Sequence, residues 1–456
     1  MAPEPRSAYS NALTPVTGVL RRFFLTSGYA LDLAVFRVAV FGVLLAYLLA
    51  ERSEIVAFAE FPQELRIPPA GWQGIVEEIP FSAGSVSACW WLLVAVSVAG
   101  LLGVYARTAA WVAVPLAVYV LGVPQFFGKV DHNSQHLIWF LAILGASRCS
   151  DALSLSSLWR ARTEGGAQPQ PSVLYSLPLR AVWLLIGLAY LSAGIPKLGG
   201  GGIELQNYLY QRWAELDWEP LVRIDQYPAL LWVASAATVA FECLFIVLIF
   251  FDRLRPYVAV AGLAFHNMTL LFMRIPFWTL QAAYVAFVPW TRILARVRRR
   301  PLAPEKPSPS TWSDLLAPVA VVAAGLVIAQ AGFAAAHVTR GWPFAAYPAF
   351  TGKPGSTKKT LVVMAVDQNG RESPVDLSPL RQRLSPERLN TLTYNVQGGD
   401  DDERRALLTV VRRYAAIPSG TRSLRLYRAR MSRDPDDHGQ APEVGKLLLV
   451  DPLRVG

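Results

Sequence analysis

Long apolar runs, separated by short polar or basic segments, occupy most of residues 27–336, and this pattern constrains the fold more than any other feature. Hydrophobic residues make up 53% of the 456 residues and charged residues only 17%. Soluble domains rarely have such a composition, and apolar runs of this length are typical of membrane-spanning helices. The sequence therefore predicts an all-α polytopic bundle, an integral membrane protein whose immediate partners are membrane lipids.

Nine membrane spans can be drawn through these runs, at residues 31–50, 88–105, 108–127, 134–149, 177–198, 229–251, 256–273, 277–291 and 314–336. A straight crossing needs ~20 residues, so we expect the spans at 134–149 and 277–291 to be re-entrant or to begin in a recess. The predicted organisation is a cytoplasmic N-terminal segment (1–26), a transmembrane domain (27–300), a cytoplasmic linker (301–313), a last transmembrane helix (314–336) and a C-terminal domain (338–456).

Basic residues concentrate on one side of this topology. With a cytoplasmic N-terminus, the cytoplasmic loops carry Arg21, Arg22, Arg107, Arg148, Arg160, Arg162, Arg253, Arg255, Arg296, Arg298, Arg299 and Arg300. The other side carries Arg52, Arg66, Lys129, Arg212, Arg223 and Arg274. Because cytoplasmic loops are the more basic ones, we expect the C-terminal domain to be extracytoplasmic. The net charge of +10 follows from this topology and does not indicate a nucleic-acid partner.

The C-terminal residues change in character and predict a small α+β domain. Residues 361–366 (LVVMAV) are typical of a strand, and Asn369-Gly370 is a hairpin-turn signal. Residues 400–403 supply acidic side chains before a predicted helix at 404–415, and residues 423–431 and 446–450 predict further strands. The domain shows no pairing of a nucleophile with a base, and we assign no chemistry to His438, which lies in an Asp-rich segment.

Lys197 is the first candidate functional residue. It ends the apolar stretch LLIGLAYLSAGIPKL (184–198) and is followed by four glycines at 199–202. An ionisable group at the end of a membrane span costs free energy unless it reaches water or a partner, which makes it a functional candidate. The alternative is an interfacial lysine that extends its side chain to the membrane surface.

The segment 131–136 (DHNSQH) is a second polar group, at the start of the fourth predicted span. His132 and His136 are four residues apart and share one face of a helix. Such a pair can ligate a metal, but with five histidines in the whole chain we predict no metal site. Capping of the helix by Asp131, Asn133 or Ser134 is an alternative that accounts for part of this polarity.

Glu242 and the pair His266-Asn267 lie inside the sixth and seventh predicted spans. A carboxyl group in an apolar helix must be paired or protonated. His266 can serve function or form an interhelical hydrogen bond. The predicted topology places Lys197 and the segment 131–136 at the extracytoplasmic ends of their spans. We therefore expect them to share a recess on that side of the membrane, with His266 deeper inside.

Three segments resemble successive motifs of one membrane domain: DHNSQHLIWFLAILGASRCSDALSLSSLW (131–159), AYLSAGIPKL (189–198) and FECLFIVLIFFDRLRPYVAVAGLAFHNMTLLF (241–272). This is the HTTM (horizontally transferred transmembrane) domain of vitamin K-dependent γ-glutamyl carboxylases and their bacterial relatives. The resemblance covers about residues 25–292 and implies a bacterial cytoplasmic-membrane protein. It implies that Lys197, in the motif that contains Tyr190, acts on a vitamin K hydroquinone. The family's Asn-His pair corresponds to the segment 131–136, where Asn133 is followed by Ser134 and His132 or His136 would take the histidine's role.

The resemblance implies an epoxidase or a carboxylase-like enzyme that uses dioxygen and reduced vitamin K or menaquinone. The catalytic residues would be Lys197, His132 and His136. The residues that bind the quinol would be Asp131, Asn133, Tyr190, Glu242, His266 and Asn267. The alternative is a membrane factor without catalysis that binds or matures an exported peptide or protein. A transporter is a third hypothesis, and the absence of an evident repeat between the two halves of the membrane region argues against it.

Overall fold

The computed structural model describes residues 18–163, 169–199, 204–299, 316–346, 350–351, 355–437 and 440–453. These residues form a bundle of helices followed by a small antiparallel sheet. Five predicted features lie outside the described residues, wholly or in large part: residues 1–17 of the N-terminal segment, the loop residues 164–168, the glycines 200–202, the linker 301–313 and His438.

The helices of the membrane region are α1 (Ala30–Ala59), α2 (Ala83–Leu102), α3 (Ala106–Val120), α4 (Gln135–Ala146), α5 (Leu155–Thr163), α6 (Val173–Gly199), α7 (Leu205–Leu216), α8 (Pro228–Leu248), α9 (Arg255–Met273), α10 (Trp278–Gln281), α11 (Trp290–Val297) and α12 (Pro318–Ala335). The C-terminal domain contains β1 (Thr357–Val366), β2 (Glu372–Pro374), α13 (Ser378–Arg381), α14 (Pro386–Gly398), α15 (Asp401–Tyr414), β3 (Ser423–Ser432) and β4 (Glu443–Pro452).

Seven helices of the described residues are long and apolar enough to cross a membrane: α1, α2, α3 with its extension to Phe126, α6, α8, α9 and α12. The two predicted short spans are indeed short. Helix α4 has 12 residues, and residues 278–287 form the one-turn helix α10 followed by a 3-10 helix. The bundle and its apolar helices are therefore confirmed, while the count of nine crossings and the sidedness stay predictions.

Helices α6 and α8 pack closely because glycines of α6 face α8. A Cβ atom at Gly187 would lie 3.0 Å from the backbone of Ile246. A Cβ atom at Gly194 would lie 2.9 Å from both the Cβ of Glu242 and the Sγ of Cys243. Small residues at such positions let two membrane helices approach each other. This approach brings the end of α6, with Lys197, against the middle of α8, with Glu242.

The four-stranded sheet of the C-terminal domain is antiparallel with the order β2-β1-β3-β4. Alternate residues of β1, Leu361, Val363 and Ala365, are buried. The predicted strands are confirmed, and Gly370 has the positive φ of 77° that the predicted turn requires. The side chain of Asp400 accepts hydrogen bonds from the N–H groups of Asp402 and Glu403, both at 2.9 Å, and so caps α15.

The C-terminal domain docks against one end of the bundle. Helix α1 has 30 residues and is about 45 Å long, so its last turns extend to this domain. The N–H of Ser385 donates to Glu54 at 2.6 Å, and the hydroxyl of Tyr414 donates to Glu60 at 2.6 Å. The buried guanidinium of Arg388 donates to the Pro124 carbonyl and to the Gln125 side chain, both at 2.9 Å. One apolar core therefore runs from the bundle into the domain.

Candidate functional site

A space of about 100 Å³, here called the aromatic cavity, lies among α4, α6, α8, α9 and α12. Its apolar wall is mainly aromatic: Trp139, Phe140, Tyr190, Phe265, Phe277 and Phe350. Its polar wall consists of His132, Gln135, His136, Ser192, Glu242, His266 and Gln330. Five residues that the sequence singled out from four separate segments thus meet at one cavity: His132, His136, Tyr190, Glu242 and His266.

Four buried polar atoms on this wall have no hydrogen-bond partner among the described residues: Gln135 Oε1, His136 Nε2, His266 Nδ1 and Gln330 Oε1. All four side chains belong to residues that are at most 5% exposed. A buried polar atom left unpaired costs about 1–3 kcal/mol, and native structures contain few of them. Their concentration in one cavity indicates a place for a ligand that forms several hydrogen bonds.

Lys197 and Glu242 form a buried ion pair at the edge of the aromatic cavity. The ammonium group of Lys197 donates to both carboxylate oxygens of Glu242, at 2.6 and 2.5 Å. Lys197 is 0% exposed and Glu242 is 3% exposed. Glu242 lines the cavity, whereas Lys197 lies behind it, beside a second space of about 830 Å³ between the ends of α6, α7 and α8. The carboxylate is therefore the member of the pair that a ligand in the cavity would contact.

Tyr190 connects two other buried groups through its hydroxyl oxygen. This oxygen lies 2.5 Å from His266 Nε2 and 2.7 Å from the hydroxyl oxygen of Tyr284. Gly262 of α9 makes room for Tyr284, because a Cβ atom at position 262 would lie 1.9 Å from the Tyr284 hydroxyl oxygen. The result is a hydrogen-bonded row, Tyr284–Tyr190–His266, whose last member lines the aromatic cavity and has an Nδ1 atom without a partner among the described residues.

The segment 131–136 is organised differently from the predicted helix face. Helix α4 begins at Gln135, so His132 precedes it, and Ser134 stands at the N-cap position without a side-chain capping bond. His132 and His136 nevertheless line the same cavity. The imidazole of His136 is hydrogen-bonded to the backbone of His132 and Thr279. Burial lowers the pKa of His132 to about 4 despite the neighbouring Asp131 carboxylate, so His132 is uncharged at neutral pH.

Asp131 and Asn133 line a larger space of about 960 Å³ between the bundle and the C-terminal domain, here called the polar cleft. Burial alone would raise the pKa of Asp131, but the positive charges of Lys129 and Arg388 lower it below its usual value. The C-terminal domain contributes Lys358, whose burial lowers its pKa to about 8. The polar cleft and the aromatic cavity share three wall residues: His132, Phe277 and Phe350.

Asn267 is the predicted site residue that the structure does not bring to the cavity. Its side chain is exposed and donates to the Leu263 carbonyl of its own helix at 2.7 Å. Sequence reasoning missed Gln330, Tyr284 and Lys358. Of these, Gln330 carried a usable signal, because it is an isolated amide in the otherwise apolar α12. Within the described ranges, no group of three or more His, Cys, Asp or Glu side chains is arranged to hold a metal ion.

No family model, no curated protein and no solved structure matches this chain. The resemblance to the HTTM domain therefore stays a prediction.

Proposed function

We propose that this chain is an HTTM-type membrane enzyme that binds a reduced quinone in the aromatic cavity and takes a proton from it. The observation that supports this most is the coincidence of three features at one place. They are the aromatic wall, the four unpaired polar atoms and the buried Lys197–Glu242 pair. A quinol has a flat apolar ring of the kind that packs against aromatic side chains, and its two oxygens can form hydrogen bonds with the unpaired atoms.

The Lys197–Glu242 pair is the proposed proton acceptor. Glu242 faces the cavity and receives the proton, and Lys197 keeps the carboxylate ionised in surroundings that would otherwise favour its neutral form. The ammonium group contacts both carboxylate oxygens, and after Glu242 takes the proton the positive charge of Lys197 remains to balance the quinolate anion that is formed. Lys197 would thus act through Glu242, which refines the direct role that the resemblance implies for it.

The remaining wall residues position the ring and exclude water. His136 Nε2 and His266 Nδ1 are free to bind ligand oxygens, and Trp139 and Phe265 cover the ring. A bound quinol of the vitamin K or menaquinone type supplies, with dioxygen, a strong base and is itself converted to an epoxide. The polar cleft, which shares three wall residues with the cavity, provides space for a second substrate.

The cavity is smaller than a bicyclic quinone requires. Its volume of about 100 Å³ is below the ~150 Å³ of a protein cavity that admits benzene. Phe350 lines both the cavity and the polar cleft, and the ammonium group of Lys197 lies 5.8 Å from the centre of its ring. We propose that the ligand gains its room by movement of the Phe350 ring.

The test is incubation of the purified full chain in detergent with reduced menaquinone or vitamin K and dioxygen, with the epoxide measured by mass spectrometry. We expect epoxide from the wild type and a loss of at least ~100-fold in Glu242→Gln and Lys197→Met, the size usual for removing a catalytic acid or base. Asn267→Ala is the matched control, because position 267 neighbours His266 but faces away from the cavity. Absence of epoxide from folded wild-type protein that binds the quinol would overturn the proposal.

The polar cleft supports a second candidate, the binding or maturation of an exported peptide without redox chemistry. Its volume of about 960 Å³ and its charged wall suit a polar chain better than a quinol. This function predicts that Lys197→Met leaves activity intact and that changes at Lys358 abolish it. The epoxide assay and a peptide-binding assay on the same two variants separate the candidates.

A further inference from the structure

We infer that the row Tyr284–Tyr190–His266 fixes His266 as a hydrogen-bond donor towards the aromatic cavity, so that the cavity holds an acceptor oxygen of its ligand at His266 Nδ1. The direction in which these hydrogen bonds are donated follows from the structure of the chain alone. Its consequence for the ligand rests on the proposed function.

The argument begins at Tyr284, the buried end of the row. Among the described residues, the Tyr284 hydroxyl has one hydrogen-bond partner, the hydroxyl of Tyr190. Tyr284 is 3% exposed, and its hydroxyl oxygen lies against the backbone of Gly262. If Tyr284 accepted from Tyr190, its own hydrogen would be buried without an acceptor, which is unfavourable. Tyr284 therefore donates to Tyr190.

The donor and acceptor roles in the next hydrogen bond of the row are then fixed as well. Tyr190 has a single hydroxyl hydrogen, and its oxygen is already the acceptor for Tyr284. Its hydrogen is directed to His266 Nε2, at an oxygen-to-nitrogen distance of 2.5 Å. An uncharged imidazole that accepts at Nε2 carries its proton at Nδ1. The unpaired nitrogen of His266, a residue of the cavity wall, is consequently an N–H group.

Two glutamines of the polar wall, in contrast, present hydrogen-bond acceptors. Gln330 donates through Nε2 to the Ala345 carbonyl at 3.4 Å, which leaves its Oε1 as a free acceptor. The Oε1 atom of Gln135 likewise has no hydrogen-bond partner among the described residues. A ligand with one acceptor oxygen and one or more hydroxyl groups fits this set of partners, and the acceptor oxygen belongs at His266.

The direct test is the position of the proton on His266. The full chain, labelled with ¹⁵N-histidine and held in lipid nanodiscs, gives two ring-nitrogen chemical shifts per histidine, which differ between a protonated and an unprotonated nitrogen. The His266 signals are those lost in His266→Gln. We expect a proton on Nδ1 in the wild type and a change towards Nε2 in Tyr190→Phe, where the donor to Nε2 is absent. A wild-type proton on Nε2 would overturn the inference.

A binding measurement tests the consequence for the ligand. The probes are 1,4-naphthoquinone, which has acceptor oxygens and no hydroxyl group, and naphthalene, which has neither. His266→Leu should weaken binding of naphthoquinone about tenfold, the effect of one lost hydrogen bond, and should leave naphthalene binding unchanged. His266→Asn keeps an N–H donor near the same place and should restore most of the affinity. Equal weakening of both probes would show that His266 acts through packing alone and would contradict the inference.

The outcomes separate this inference from the proposed function. If His266 carries its proton on Nδ1 and binding of naphthoquinone depends on His266, but no epoxide is formed, the inference holds and the proposed enzymatic function is wrong. If epoxide is formed but His266 carries its proton on Nε2, the proposed enzymatic function holds and the inference is wrong.

Discussion

The ammonium group of Lys197 donates to both oxygens of the Glu242 carboxylate across the interface of α6 and α8, although 45 residues separate the two in sequence. Both side chains are buried. A buried ion pair compensates the desolvation of its own charges incompletely, so stability gives little reason to place one between two apolar helices. The pair lies beside a cavity with unpaired polar atoms.

Removing one member of this pair should lower the stability of the protein more than removing both. Lys197→Met leaves the Glu242 carboxylate buried without a partner, and we expect a loss of about 3–5 kcal/mol. The double variant Lys197→Met/Glu242→Leu leaves no buried charge and should recover most of that stability. Thermal unfolding in detergent measures both. A double variant as unstable as Lys197→Met would show that the pair is not coupled in the way the structure indicates.

The close approach of α6 and α8 depends on Gly194. Gly194→Ala places a Cβ atom 2.9 Å from Glu242 and Cys243 atoms, and the separation of the helices should cost about 1–3 kcal/mol. Gly332→Ala in α12 is the matched control, because a Cβ atom there would meet nothing within 4 Å. We expect the melting temperature to fall in the first variant and to stay level or rise slightly in the second. Equal effects would contradict the proposed packing.

His132 should make stability depend on pH. Its pKa is about 4 in the folded protein and 6.5 as the unperturbed value, so the unfolded chain binds more protons between these values. The contribution of His132 is therefore fully present above pH 6.5 and is lost as the pH falls towards 4. His132→Gln should reduce the dependence of the melting temperature on pH over this range. An unchanged pH profile in His132→Gln would refute this assignment.

Arg388 should hold the C-terminal domain on the bundle. Arg388→Met removes the hydrogen bonds to the Pro124 carbonyl and to Gln125, although Gln125 keeps its bond from the Asp131 N–H, and we expect a loss of about 3 kcal/mol. We expect faster proteolytic release of the domain by trypsin under native conditions. Arg405→Met provides the control, since Arg405 lies on the surface and pairs with the exposed Asp402. Equal release from both variants would exclude Arg388 as the main contact.

The sequence predicted the features that depend on local pattern. Apolar length gave the membrane helices, and a short apolar run followed by a turn signal gave β1 and the hairpin. Helix α14 was missed because its residues, PERLNTLTYNVQG, include several weak helix formers. It forms because Arg388, Leu389, Leu392 and Val396 are buried against the bundle and the sheet.

The sequence by itself also identified Lys197, Glu242, His132, His136 and His266, since an ionisable or polar residue is costly in an apolar helix and stands out there. Only the tertiary structure decided which of them meet. His266 and Asn267 are adjacent, yet His266 reaches the cavity and Asn267 is exposed, because the rotation of a helix about its axis is set by packing with its neighbours. The pairing of Lys197 with Glu242 likewise depends on how closely α6 and α8 approach, a distance that glycines at the contact permit and that no local pattern along either helix specifies.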